Sequence, residues 1–304
     1  MGEFDLIARI RAASIKNGSV VMGIGDDCAI LKMTPGYELL VTTDMLMDGR
    51  HFILGQASPE QIGRKALGVN LSDIAAMAGR PIAAVVAVAL PKKNAERIAD
   101  GLQIGIQEMA KRFAVSIVGG DTNAWDGPLV ICITVFGEAE PGRAVLRAGA
   151  KPGDAIFVTG PLGGSFLGRH LDVQPRILEA QILIATTQIH AMIDISDGLS
   201  SDLTHILDES GGVGAILDSN AIPIHSDAFE MSKRDRRSPL DHALNDGEDF
   251  ELLFTANTGD FERLSSALRG VTRIGEITST PGILLRDPEG QASPLVLGGF
   301  DHLR

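Results

Sequence analysis

The spacing of apolar and polar positions changes period several times along the chain, and each change predicts an element. Residues 37–44, "YELLVTTD", read as a strand that ends on a polar tip. From residue 58 the pattern is helical. "SPEQIGRKALGVNLSDIAAMAG" opens with Ser58 and Pro59, a suitable N-cap and first turn. It stops at Gly79, with Pro81 beyond. The apolar run 82–90, "IAAVVAVAL", is too short to span a bilayer and reads as a buried strand. A helix follows over 93–113, then strands over 115–120 and 129–140. Residues 4–15 have the pattern of a short amphipathic helix. The Gly- and Pro-rich stretch 142–164, "GRAVLRAGAKPGDAIFVTGPLGG", predicts a domain break near residue 145 and a new strand, "AIFVTG". Beyond it the spacing predicts helices near 175–189 and 198–209, and strands near 213–218, 249–256, 271–277 and 283–286. Alternating helices and strands of this kind predict an α/β or α+β layered architecture. The expected domains are 1–145 and 146–304.

Composition narrows the chemistry. The 304 residues are 44% hydrophobic and 22% charged, as in an ordinary globular protein. Only 4% are aromatic, with one Trp and one Tyr, so a stacking platform for single-stranded nucleic acid is not expected. The net charge of -12 argues against nucleic acid and anionic membranes as partners. It leaves room for polyphosphates, because divalent cations reverse the local sign. Cys28 and Cys132 make no disulfide framework, and a reducing cytosol is the expected compartment. The beginning, "MGEFDLIARIRAA", has acidic residues and no long apolar run, so no signal peptide is expected there.

Acids stand where elements should end: Asp26–Asp27 after "GIG", Asp44 at a strand tip, Asp121 in "VGGDT", and Asp194 and Asp197 in "MIDISDG". A single aspartate in such a place is usually a turn former or a cap. Asp73 differs. It lies inside a helix, where Asp is a poor former, among small apolar residues, with Asn70 three positions earlier on the same face. A buried unpaired carboxylate is costly, so a cation is the better partner. No Walker loop, GxGxxG, HExxH, GxSxG or CxxC motif is present. A nucleotide would therefore be held through metal ions and glycine-rich backbone, for which "VGGDT" (118–122) and "GPLGGS" (160–165) qualify.

The spelling of seven motifs in order resembles one family. "GIGDDCAI", "VTTDMLMDGRHF", "KALGVNLSDIAAMAG", "VGGDT", "LRAGAKPGD", "IDISDGLSSDL" and "GEDFELLFT" are similar to the motifs of thiamine-monophosphate kinases. These belong to the aminoimidazole-ribonucleotide-synthetase-like superfamily. The match runs from about Phe4 to the final "GGFDHL". The resemblance implies a two-domain fold. Its N-terminal mixed sheet pairs in a homodimer, and its C-terminal α/β sandwich covers nucleotide and substrate. It implies ATP-dependent phosphorylation of thiamine monophosphate to thiamine diphosphate with several Mg²⁺ ions. By motif position it implies Asp27, Thr42, Thr43, Asp44, Asp73, Asp121, Asp194 and Asp197 as magnesium ligands, with Asp44, Asp121 and Asp197 at the chemistry. Gly120, Asp121, Arg147 and Ser196 fall at nucleotide contacts, and His51, Glu248 and Leu297 at substrate contacts.

The implied nucleophile is a phosphate monoester oxygen with a second pKa of about 6, so no general base is required. Several positions depart from the family pattern. "GGS" (163–165) stands where "GDS" is usual, and the connection to "QPRILEA" is shorter. Asn123–Ala124 replace a polar and basic pair, and Leu297 stands for an aromatic, for which Phe300 could substitute. Two alternatives stay open. One is a related ATP-using enzyme with another acceptor. The other is a non-catalytic dimeric Mg-nucleotide-binding protein.

Overall fold

The computed structural model describes residues 9–296 and 298. The chain divides into two compact units. One holds the residues up to Ile74, with Gly79–Arg143 and Leu171–Val173; the other holds Ala75–Ala78, Ala144–His170 and Gln174 onward.

The first unit is built on a four-stranded sheet. A small hairpin of β1 (Val20–Met22) and β2 (Ile30–Leu31) precedes β3 (Glu38–Met47). Helix α1 (Pro59–Ala76), β4 (Arg80–Pro91), α2 (Ala95–Arg112), β5 (Ser116–Trp125) and β6 (Val130–Ala139) follow. The sheet order is β3-β6-β4-β5. Only β4 and β5 run parallel, joined by the α2 crossover. Register places Asp44 opposite Ile133, Ile133 opposite Val86, and Val86 opposite Gly120. Those four residues form one row across the sheet. Side chains alternate faces along a strand, so Thr42 and Asp44 share a face with buried Ile133 and Val135, while Thr43 and Met45 point the other way.

The start of α1 follows the Ser-Pro signal. Ser58 Oγ accepts the Gln61 N–H at 3.3 Å, and Gln61 Oε1 accepts the Ser58 N–H at 2.9 Å, a reciprocal capping box. The helix ends when Ala78, at φ 53°, turns left-handed and the Gly79 N–H reaches back to Ile74 O at 2.8 Å. Helices α1 and α2 touch backbone to backbone. A Cβ at Gly105 would lie 1.9 Å from Glu60 O, and one at Gly63 would lie 2.3 Å from Leu102 O. Only glycine permits that approach.

The second unit is a seven-stranded sheet in the order β13-β12-β9-β11-β7-β10-β8. Its elements in chain order are β7 (Asp154–Val158), α3 (Ile177–Thr186), β8 (Ile189–Asp194), α4 (Leu199–Glu209) and β9 (Gly214–Asp218). Then come α5 (Ser226–Asp235), α6 (Pro239–Asn245), β10 (Leu252–Asn257) and α7 (Phe261–Ala267), and finally β11 (Thr272–Thr278), β12 (Gly282–Arg286) and β13 (Ala292–Pro294). Both sheet faces are covered. Ile156 and Val158 of β7 pack into a core with Leu203 and Ile206 of α4. Ala155 and Phe157, on the other face, pack with Leu183 of α3 and Leu264 of α7. The two-domain α/β expectation is met.

Some boundaries differ from the sequence expectation. The helix expected to reach 189 ends at Thr186, because Thr187 is extended and Ile189–Asp194 pairs as β8 with β10. Helices α5, α6 and α7 were not legible in the spacing, being only 7 to 10 residues long. The expected helix over 4–15 is helical at 9–13. Leu297 and Phe300 lie outside the described residues.

Candidate functional site

Each unit carries its own acidic centre. In the first, β3 delivers Asp44 and Thr42 to one face, and α1 delivers Asp73 toward them. Thr42 Oγ1 donates a short hydrogen bond to Asp73 Oδ2. Burial, then the Asp73 charge, pushes the Asp44 pKa from 3.8 up to about 7. Two carboxylates forced together with a hydroxyl make an oxygen-only donor set, suited to a hard cation. The burial expected of this helix face holds at Asn70, which is fully buried and whose Nδ2 donates to Ala66 O at 3.0 Å, whereas Asp73 itself is half-buried.

The other members of the expected set in this unit are placed differently. The Thr43 side chain is on the opposite sheet face, where its hydroxyl accepts from Thr134 Oγ1 at 3.0 Å. Asp121 is also on that opposite face. Register sets it beside Ala87, and Asn123 Nδ2 donates to its Oδ2 at 2.7 Å. Within this unit Thr42, Asp44 and Asp73 come together, and the side chains of Thr43 and Asp121 do not join them. Alternation in β3 and β5 separates Thr43 and Asp121 from Asp44 and Asp73.

Asp27 is exposed, and its N–H donates to Asp26 Oδ1 at 2.8 Å. Both aspartates line a cavity of about 630 Å³ whose floor includes Val86, Val88, Leu102, Gly120 and Thr122. That size and its apolar walls suit a nucleoside-scale ligand. Gly120 must be glycine there, because a Cβ would lie 2.0 Å from Val86 O.

His51 sits in the loop after β3. Its Nδ1 accepts the Met47 N–H at 3.0 Å, which places the proton of the neutral ring on Nε2. Its carbonyl accepts from the fully buried Lys65 ammonium at 2.7 Å.

The second centre lies after β8. Asp194 ends the strand and is buried. Asp202 Oδ2 accepts three consecutive N–H groups, from Ser196 (3.0 Å), Asp197 (3.1 Å) and Gly198 (3.1 Å). Burial, then the charges of Asp194 and Asp197, lifts the Asp202 pKa from 3.8 to about 8. Asp197, Asp202 and His205 bring ligand atoms within 4.8 Å of one another. Neither Asp202 nor His205 is among the residues expected from the sequence. The signal was available: positions 202 and 205 are three apart on one helix, one turn beyond the "SDG" loop. Arg147 is exposed, next to Leu146, whose carbonyl accepts the Met192 N–H of β8 at 2.9 Å.

Glu248 lies on a strained loop packed against the same segment. It is left-handed at φ 51°, between Gly247 at 73° and Phe250 at 53°, and its N–H donates to Ser196 O at 2.7 Å. The acids around it are buried and each is held by one arginine. Asp246 pairs with Arg237 at 2.9 Å, Asp249 with Arg169 at 2.8 Å, and Glu251 with Arg176. Glu248 is the half-buried acid of the four.

The N-terminal domain of AIR synthase related proteins matches residues 25–139, and the C-terminal domain matches 151–287. The chain is 40% identical to a thiamine-monophosphate kinase of Rhodopirellula baltica, over 99% of this chain and 97% of that one. It is 36% identical to the Bacillus subtilis enzyme, covering 100% of both, in an alignment of 333 positions. Among solved structures, a thiamine-monophosphate kinase from Stenotrophomonas maltophilia superposes with a TM-score of 0.81 at 33% identity, over 96% of this chain and 98% of that one. AaThiL complexed with AMPPCP and TMP superposes at 0.78 and 30% identity, over 99% and 97%. The hydrogenase maturation protein HypE superposes at 0.81 with 20% identity, covering 98% and 95%, a likeness of fold alone.

Proposed function

The chain belongs to the thiamine-monophosphate kinase family of AIR synthase related proteins, and from that premise we propose that it transfers the γ-phosphoryl group of ATP to thiamine monophosphate, forming thiamine diphosphate. The observation that carries the reading is the Asp44–Asp73 pair. Burial, and then the charge of Asp73, keep a proton on Asp44 up to about pH 7, and AaThiL, of the same fold, is complexed with AMPPCP and TMP.

The donors fit Mg²⁺: oxygen atoms only, two of them carboxylate, on a rigid strand and helix. Asp44 and Asp73 would hold the ion, with Thr42 orienting Asp73 through its hydrogen bond. Asp27, Asp194 and Asp197 are further candidate ligands. Thr43, whose hydroxyl is on the other sheet face, does not offer its side chain to that ion. Asp121 would take part from its own sheet face and therefore at a separate ion. Bound Mg²⁺ reduces the repulsion between the two phosphates and orients them for in-line attack.

The protein's own residues supply position. Gly120 and the cavity beside Asp26 and Asp27 accept the nucleoside. Asp202 holds the Ser196–Gly198 backbone, and thereby the nucleotide contact expected at Ser196 and the ligand Asp197. Arg147 offers a cationic fork for phosphate oxygens. His51 and Glu248 sit on loops pinned by Lys65 and by Ser196, and they orient the substrate. No side chain has to remove a proton, since the attacking phosphate oxygen is already ionised.

A homodimer in a reducing cytosol completes the reading. Strand β3 is a ten-residue edge, and its outer face shows Leu39, Val41, Met45 and Met47, each 39–58% exposed. A long apolar edge of this kind is a liability unless a partner covers it. Among the described residues no helix is long and apolar enough to cross a membrane.

The deciding experiment is ATP consumption with and without thiamine monophosphate, at varied Mg²⁺, with the product identified by mass. Thiamine diphosphate formed only with Mg²⁺ is expected. ATP use independent of thiamine monophosphate would refute the assignment. Asp44→Asn and Asp121→Asn should each abolish turnover while the protein stays folded, and activity retained in both would remove the metal assignment.

A further inference from the structure

The loop 160–165 and the loop around Glu248 are fastened together. Both carboxylate oxygens of Asp249 accept the Gly163 N–H at 3.0 Å. Asp246 Oδ2 accepts the Gly164 N–H at 3.0 Å, and Ser165 Oγ donates to Gly247 O at 2.7 Å. The glycines are required. A Cβ at Gly164 would lie 2.3 Å from Ala228 N, and one at Gly163 would lie 2.6 Å from Ala243 N. A side chain at 164 would run into the start of α5.

One side chain closes this arrangement. Arg169 Nη2 donates to Asp249 Oδ1 at 2.8 Å and to Gly163 O at 2.9 Å. It comes from the short connection after Ser165, which holds only two 3₁₀ turns, Ser165–Leu167 and Arg169–Leu171. The guanidinium is mostly buried, and Asp249 is almost wholly so. A buried carboxylate without its cation is strongly destabilised. Removing Arg169 should therefore loosen Asp249 first, then Gly163, and then the left-handed pair between Asp246 and Asp249, Gly247 and Glu248.

We propose that Arg169 is a positioning residue for the phosphorylated substrate: it locks the Gly163 loop to Asp249 and so holds Glu248 in the conformation that meets thiamine monophosphate. This rests on the kinase reading above and adds a residue to its substrate side. A relative with a longer connection would reach the same rigidity by other contacts.

The test compares wild type, Arg169→Ala, Arg169→Lys and Asp249→Asn in steady-state kinetics and hydrogen exchange. In folded Arg169→Ala the KM for thiamine monophosphate should rise about tenfold or more, with the KM for ATP within about twofold. Exchange should rise at both 162–165 and 246–250. Arg169→Lys, which keeps the charge and folds more readily, should fall between. Joined with Asp249→Asn, Arg169→Ala should add little, because both break one contact. An unchanged KM for thiamine monophosphate, an equal rise in both KM values, or additive losses overturns the inference. If Arg169→Ala does not fold, Arg169→Lys decides on the same criteria. A wild-type enzyme without turnover on thiamine monophosphate overturns the function and this inference with it. Wild-type turnover with an unmoved variant KM overturns this inference alone.

Discussion

Asp44 and Asp73 illustrate how a single pair can be unfavourable for folding and useful for binding. The Asp44 pKa is 3.8 unfolded and about 7 folded, so the folded state holds its proton more tightly. The stability from this group is full below pH 3.8 and is lost as pH rises toward about 7. Metal-free Asp44→Asn should therefore melt higher than wild type at pH 8, with the gap closing toward pH 5, while losing turnover. Thermal unfolding at both pH values checks this; a gap that widens toward low pH would contradict it. Mg²⁺ must also displace the shared proton. Binding should release protons and tighten as pH rises through about 7, readable by calorimetry in two buffers of different ionisation enthalpy. Asp73 was legible as special from one fact, a carboxylate inside an apolar helix. Its partner was not, because residues 44 and 73 are joined only by folding.

At the scale of elements, the contact between α1 and α2 sets where Asp73 lies. Gly63 and Gly105 let the two backbones touch. Gly105→Ala should cost about 1–3 kcal/mol as an overpacked contact and should also weaken Mg²⁺ binding by shifting α1. Urea unfolding and metal titration measure the two effects; unchanged stability would show that the helices separate at no cost. The long elements α1, β4, α2 and β6 were legible almost to their ends, whereas β3 continues to Met47 and β5 to Trp125, so Asp44 and Asp121 lie inside strands and not at the tips expected from the sequence. Helix α6 was not legible, although its Ser238–Pro239 start repeats the signal that marked α1. Its Ser238 side chain accepts the Asp241 N–H at 3.0 Å. Seven residues are too few for periodicity to stand out. The loop around Glu248 read as a turn into a strand; nothing local announced three left-handed residues in four, because tertiary hydrogen bonds impose them.

At the scale of the whole molecule, the charge of -12 and the function agree only through cations. For an acidic protein that brings together two phosphorylated reactants, divalent cations at the proposed site reverse the local sign. The outer face of β3 bears on assembly. Met45→Asp should shift the protein toward monomer in sedimentation equilibrium, because an aspartate would be buried without a partner in a paired sheet. An unaltered mass in a folded variant would remove β3 as the proposed dimer contact.

The sequence by itself determined the family, the two domains, the main strands and helices, and the list of acids, because these rest on local periodicity and on motifs read in order. Only the tertiary structure decided which acids meet. Face alternation along β3 and β5 pairs Asp44 with Asp73 and turns Thr43 and Asp121 away. Three backbone N–H groups claim Asp202 as a brace. Separate arginines pair with Asp246, Asp249 and Glu251, which are buried, and Glu248 is the half-buried acid of its loop. Charge, register and burial act through space, and chain order alone does not contain the distances on which they depend.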